Sequence, residues 1–183
     1  MKFTPTSIAG CFILEPKALI DDRGYFMESF NENLFFENTG LKVHFVQDNQ
    51  SFSSKGVLRG LHYQTDEHAQ AKLVRVISGE VLDVAVDIRP ESPTFGKHVA
   101  VHLSAENRQQ LYIPRGMAHG FLVLSDTATF FYKCDNFYNR ESEGGIYFND
   151  PELAINWQLP TEELILSEKD KNLPPLKTSK KVW

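Results

Sequence analysis

The stretch Val57-Leu-Arg-Gly-Leu-His-Tyr-Gln64 and, after a short gap, Lys72-Leu-Val-Arg-Val-Ile-Ser-Gly79 decides the fold. Both runs are short, rich in branched apolar residues and bounded by glycine, which reads as two β-strands. Period-two alternation on the second run sets Lys72, Val74 and Val76 on one face and Leu73, Arg75 and Ile77 on the other. A lysine that shares a face with two valines is costly to bury unless something anionic meets it. That face therefore reads as the wall of a pocket, with Arg59, His62, Gln64 and Lys72 as its polar groups. Strict alternation would put Arg59 on the face opposite His62, and a bulge at Gly60 would bring both to one pocket.

The rest of the chain repeats the pattern. Asp21-Asp22-Arg23-Gly24 is a turn, with Tyr25 to Phe30 continuing as a strand. Asn31 to Thr39 is expected to be a helix closed by Gly40. Leu41 to Ser51 returns to β character, with Gln47, Asn49 and Ser51 on one face. Along Val81 to Ile88 the apolar Leu82, Val84, Val86 and Ile88 alternate with Asp83 and Asp87. Phe121 to Leu124 and Thr127 to Asp135 read as a hairpin around Ser125-Asp126, and Glu162 to Lys171 as a short helix. About ten short strands separated by turn signals predict a mainly β chain, a double-sheet jelly roll with a few short helices.

Bulk properties narrow the function. The 183 residues are expected to form one domain, residues 1–183, with the jelly-roll core at roughly 40–140 and the two ends packed around it. A net charge of −5 leaves no general footprint for nucleic acid, so an anionic ligand must be met by local cations. Two cysteines, Cys11 and Cys134, make no disulfide framework and no CxxC, which suggests reduced thiols in a cytoplasmic protein. Met1-Lys2-Phe3-Thr4 opens no apolar leader, and no run approaches the roughly 18 apolar residues of a membrane span. No G-x-G-x-x-G occurs, so no dinucleotide fold is expected.

Two segments together are similar to the motifs of a cupin. Gly56 is followed after five residues by His62 and Gly79 is preceded after six by Lys72, while Pro114-Arg-Gly-Met-Ala-His119 carries a complete Pro-x-Gly-x-x-His. In metal cupins the corresponding positions hold three histidines and a glutamate. Here they hold His62, Gln64, Lys72 and His119. An ammonium beside a divalent ion is repelled, so the expectation is a kept scaffold, no metal and no cofactor. It also sets the His62 imidazole beside the Lys72 ammonium on one wall.

Almost end to end, the chain resembles the dTDP-4-dehydrorhamnose 3,5-epimerase family, metal-free relatives of the cupins. The resemblance rests on Asp22-Arg-Gly-Tyr-Phe26 with Glu28, Gln47-Asp-Asn49, Arg59 to Gln64, Lys72, Val76 to Asp83 and Ile113 to Phe121. It continues through Tyr132-Lys-Cys134, Tyr138, Glu143-Gly-Gly145 and Leu166 to Asp170. It implies an isomerase acting on dTDP-4-keto-6-deoxy-D-glucose in rhamnose-precursor synthesis. It also implies a cytoplasmic homodimer whose N-terminal strands pack on the neighbour, with no nucleic-acid or membrane partner.

The implied chemistry suits these residue types. Protons at C3 and C5 flank the ketone; removing one gives an enolate, and reprotonation from the opposite face inverts the centre. The resemblance assigns His62 as base, Asp170 as the carboxylate that orients it, Lys72 as donor to the oxyanion and Tyr132 as acid. It implies phosphate contacts from Arg59 and Arg23. Further substrate contacts would come from Phe26, Glu28, Gln47, Asn49, His119, Tyr138, Glu143 and Lys169. Three other functions use the same residues: a single-site epimerase at C3 or C5, a metal-dependent cupin enzyme and a sugar-nucleotide binding module. Gln64 and Lys72 argue against the second; His62, Lys72, Tyr132 and Asp170 together argue against the third.

Overall fold

The computed structural model describes residues 1–183 as two facing antiparallel sheets, a small hairpin and short helices. In chain order the strands are β1 (Lys2–Pro5), β2 (Phe12–Glu15), β3 (Ala18–Asp21) and β4 (Gly24–Met27), followed by helix α1 (Glu32–Thr39). Then come β5 (Gln47–Ser54), β6 (Leu58–Gln64), β7 (Lys72–Ser78), β8 (Glu80–Asp87), β9 (His98–Ser104) and β10 (Gln110–Ile113). The chain continues with β11 (Met117–Val123), β12 (Thr127–Cys134), β13 (Glu143–Gly145) and the four-residue helix α2 (Glu168–Lys171). One sheet runs β1-β2-β10-β7-β12-β5 and the other β13-β6-β11-β8-β9. This is the expected mainly β, cupin-like jelly roll.

Between the sheets lies a core built from Val74 and Val76 of β7, Phe130 of β12, Val81 and Ala85 of β8, and Phe121 of β11. The outer face of the five-stranded sheet is also covered. Leu82, Val84 and Val86 pack there under Ile146, Phe148, Trp157 and Val182 from the chain's last forty residues. The alternation along β8 therefore separates two buried faces, and Asp83 and Asp87 turn inward. On the other sheet, α1 seats Phe35 against Leu14, Leu73 and Tyr112. The Asn31 side chain caps α1 by accepting from the Leu34 N–H, and Gly40 closes it in the left-handed conformation, as expected.

Three expectations change. The six-stranded sheet begins at Lys2, so β1 and β2 belong to the sandwich rather than packing around it. β11 and β12 are not a hairpin: β11 pairs with β6 and β8, β12 with β5 and β7. The Ser125-Asp126 turn carries the chain from one sheet to the other, which a local turn signal does not distinguish from a hairpin. Glu162 to Lys171 is not one helix. It is a single 3-10 turn at Thr161–Glu163, an extended passage, then α2. The extended passage is held by tertiary bonds: Ile165 N–H donates to Gly56 O at 2.8 Å and Leu58 N–H to Ile165 O at 3.0 Å.

Candidate active site

Gly56 makes that docking available. It sits at φ +80°, and a Cβ there would meet Glu163 O at 2.5 Å, so only glycine lets the two backbones approach. From this anchor the chain runs to Ser167, whose hydroxyl accepts from the Asp170 N–H at 3.1 Å and starts α2. Asp170 is thereby carried to β6. Its carboxylate lies 2.6 Å from His62 Nε2 and also accepts from the Gly60 N–H at 3.4 Å. Burial alone would raise the Asp170 carboxyl, but the bonds from His62, Gly60 and Ser167 hold it below the usual carboxylate range. The His62 side chain stays 31% exposed while Asp170 is 5% exposed, so one partner faces the cavity and the other backs it.

Gly60 resolves the face problem on β6. The pairing of β6 with β11 shifts register between His119 and Phe121, opposite Gly60, which sits at φ +117°. A Cβ at Gly60 would meet His119 O at 2.6 Å. The irregularity turns the strand so that Arg59 and His62 line one cavity of about 610 Å³. Asn49, Lys72, His119, Tyr132, Lys169 and Asp170 border the same cavity.

The two sheets divide the work. His62 and His119 stand opposite each other on β6 and β11, while Lys72 and Tyr132 come from β7 and β12 of the facing sheet. The expectation that His62 and Lys72 share one wall is thus corrected. The chain crosses between sheets after Gln64, and the two side chains meet across the cavity. Lys72 Nζ lies 5.7 Å from the centre of the Tyr132 ring. Burial pulls the Lys72 ammonium below its ordinary value, with Cys134, Asp83 and Glu143 opposing that shift. Burial pushes the Tyr132 phenol up, so its proton stays on at neutral pH.

A second histidine–aspartate pair lies beside the first. His119 Nε2 is 2.9 Å from Asp83 Oδ2, with the side chains 6% and 0% exposed. Burial pushes His119 below its ordinary value; Asp83 opposes, and the Lys72 and His62 charges add to the lowering. His119 therefore sits as a neutral ring donating to Asp83, whose Oδ1 has no partner.

The remaining expected residues divide into two groups. Glu143 bonds Lys169 at 2.5 Å and accepts from the Tyr138 hydroxyl at 3.4 Å. The Tyr138 N–H donates to Gln47 Oε1 at 3.1 Å, and Gln47 donates to Asn49 Oδ1 at 3.2 Å. Of these, Asn49 and Lys169 border the cavity, and the bonds tie Gln47, Tyr138 and Glu143 to them. Arg23, Phe26 and Glu28 do not join them. Arg23 pairs with Asp21 at 2.6 Å on the exposed β3–β4 hairpin. Phe26 borders a separate hollow with Tyr25, Arg75 and Arg108. A hairpin paired only with itself has no register to bring it to this chain's own cavity.

Gln64, at an inherited ligand position, does not enter the cavity. Its amide donates to Asn139 O at 2.8 Å and accepts from the Asn139 N–H at 2.7 Å, which pins the rim segment. With Gln64 so used and a cation at Lys72, no three His, Cys, Asp or Glu side chains gather as a metal-binding cluster. Sequence reasoning missed Asp83, whose inward direction the β8 alternation already carried. It also missed Ser53, the next inward residue after Gln47, Asn49 and Ser51 on β5.

The family model for dTDP-4-dehydrorhamnose 3,5-epimerase matches residues 5–178. The chain is 58% identical over 172 residues to the dTDP-4-dehydrorhamnose 3,5-epimerase of Shigella flexneri, covering 94% of each. The crystal structure of the enzyme of that name from Elizabethkingia anophelis superposes with a TM-score of 0.94 at 59% identity, over 97% of both chains. The dTDP-6-deoxy-D-glucose-3,5-epimerase of Legionella pneumophila, solved with dTDP-4-keto-L-rhamnose, gives 0.93 at 52% identity over 97% of this chain and 93% of that one.

Proposed function

This chain belongs to the dTDP-4-dehydrorhamnose 3,5-epimerase family, and from that membership we propose how its pocket inverts two carbons without a metal. The activity is that of an isomerase of dTDP-rhamnose synthesis, acting at C3 and C5 of dTDP-4-keto-6-deoxy-D-glucose.

His62 takes the proton from C3 or C5, and the electron pair moves to the C4 carbonyl oxygen to form an enolate. Asp170 holds the His62 tautomer and steadies the imidazolium. Lys72 donates to the enolate oxygen as it gains charge. Tyr132 returns a proton to the opposite face of the same carbon, which inverts it. The observation that carries this reading is the division of labour: base on one sheet, acid and oxyanion donor on the sheet facing it. A flat sugar ring held between them would meet opposite faces with opposite groups.

Arg59 supplies a cation for the diphosphate, with Asn49, His119, Glu143 and Lys169 as further contacts and Tyr138 as a platform for the base. Leu19, Ile20, Tyr25 and Phe26 on the β3–β4 hairpin are 57%, 74%, 55% and 70% exposed. Apolar exposure on that scale fits a homodimer in which the hairpin docks on a second copy, with Arg23, Phe26 and Glu28 reaching the partner's cavity. Residues 1–183 act as one domain in this reading. No helix is long and apolar enough to cross a membrane, and the two free, buried cysteines suit a cytoplasmic location.

The test is turnover of dTDP-4-keto-6-deoxy-D-glucose in heavy water. Deuterium should enter at both C3 and C5. Label at a single carbon, or none, would overturn the reading.

A further inference from the structure

Ser53 lies on the inward side of β5, opposite Ala128 of β12, and is only 6% exposed. Its hydroxyl oxygen accepts two bonds from one guanidinium: Arg59 Nε and Nη2 both donate to Ser53 Oγ at 3.1 Å. Arg59 belongs to β6 in the five-stranded sheet and Ser53 to β5 in the six-stranded one, so the pair spans the sandwich beside the cavity.

The choice of acceptor matters. Arg23, Arg89 and Arg115 each bond a carboxylate, those of Asp21, Asp87 and Asp135. In those pairs the cation is neutralised by its own neighbour. Arg59 is steered by a neutral oxygen. Two of its five N–H donors are committed and its plane is set, yet the full positive charge and three donors remain for an incoming anion. A carboxylate at position 53 would orient the fork equally well and cancel what the fork is for.

We propose that Ser53 is the positioning residue that aims Arg59 at the diphosphate of the substrate, holding its guanidinium without discharging it. The proposal rests on the reading that Arg59 meets the diphosphate. Ser53 itself touches no substrate. Its contribution is to remove in advance the rotamer freedom that a long exposed arginine would otherwise lose on binding.

A double-mutant cycle on dTDP binding, read by titration calorimetry with the full chain, tests this. Ser53→Ala should weaken dTDP about fivefold, and KM for the nucleotide sugar should rise by a similar factor while kcat changes less than twofold. Arg59→Ala should weaken dTDP by about fiftyfold or more. The double variant should bind as Arg59→Ala alone does, because an aiming residue has nothing left to aim. An equal loss from Ser53→Ala in both backgrounds would mean a merely structural serine and would overturn the proposal, as would no loss at all. Unchanged affinity in Arg59→Ala would instead remove the phosphate role of Arg59, and the role of Ser53 with it.

Discussion

The molecule holds two histidine–aspartate pairs within one cross-strand step of each other. His62–Asp170 and His119–Asp83 use the same two residue types at 2.6 and 2.9 Å, and the histidines are register partners on β6 and β11. What separates them is where the second member comes from and what water can reach. Asp83 is part of β8, so its pair is built into the sheet, with His119 at the cavity wall and the side chains only 6% and 0% exposed. Asp170 arrives on a segment docked from outside, so His62 keeps 31% of its surface. In the proposed mechanism His62 collects a proton from carbon and needs that opening. His119, largely covered and bonded to a carboxylate, is held as a neutral donor at the cavity wall.

The largest effect should come from the open pair. His62→Ala is expected to cut deuterium uptake at C3 and C5 by about 10³- to 10⁴-fold, and Asp170→Asn by about 10²-fold because the tautomer is no longer held. Uptake at the wild-type rate in His62→Ala would break the comparison at once. Next is Lys72→Met, which keeps the packing against Tyr132 and removes the proposed donor to the enolate oxygen. Exchange should fall about 10²-fold with dTDP affinity changed far less. An equal loss in both would make Lys72 a binding cation only.

The closed pair should behave otherwise. His119→Asn keeps a donor for Asp83, and exchange should stay within about tenfold of wild type. If it instead falls as far as His62→Ala, the two pairs share one job. Stability sharpens the point. Folding holds His119 below its ordinary value of 6.5, so the unfolded chain gains a proton there first as pH falls. Its contribution is complete above about pH 6.5 and is lost as pH drops, at up to about 1.4 kcal/mol per pH unit. Burial is the main cause of the lowering; Asp83 opposes it, and Lys72 and His62 add to it. Denaturant titrations from pH 7 to 5 should therefore show a shallower loss in His119→Asn than in wild type. Parallel curves would mean that His119 is not held neutral.

Asp87 gives the smallest effect and a control. It shares the inward face of β8 with Asp83, but both of its oxygens are bonded, by Arg89, Ser92 and Thr94. Burial would raise it, yet those donors bring it down to about 2. Its stabilisation, about 2 kcal/mol, is present above about pH 4 and lost as pH falls through about 2. Asp87→Asn should flatten the acid limb of the stability curve in that window. Unaltered acid sensitivity would show that the bonds to Asp87 carry no net stabilisation.

How much of this was legible varies with the range of the signal. The strands of the sandwich follow from alternation and turn residues, and the Asn31 cap with Gly40 fixed α1 to within a residue. Part of the cavity wall was legible as well: alternation pointed to Lys72, and Gly60 flagged the break between Arg59 and His62, whereas Tyr132, Lys169 and Asp170 came from the family resemblance. What failed was decided by partners far along the chain. The Ser125-Asp126 turn looks alike whether it joins neighbours in one sheet or crosses to the other. Glu162 to Lys171 has helical residues, but Gly56 holds its middle extended. Gln64 reads as a pocket residue by spacing, and only the position of Asn139 shows its amide in use elsewhere. Ser53 needed the facing sheet before its acceptor role could be seen.

The docking of the C-terminal segment on Gly56 also sets an order of events. Every strand of both sheets is complete by Gly145, whereas the carboxylate that meets His62 waits at position 170. A chain still being synthesised has made every strand while the imidazole has no carboxylate behind it. In the proposed mechanism competence is conferred last, by a clasp of backbone against backbone at one glycine, and a chain clipped before that clasp would lose the carboxylate that orients its base.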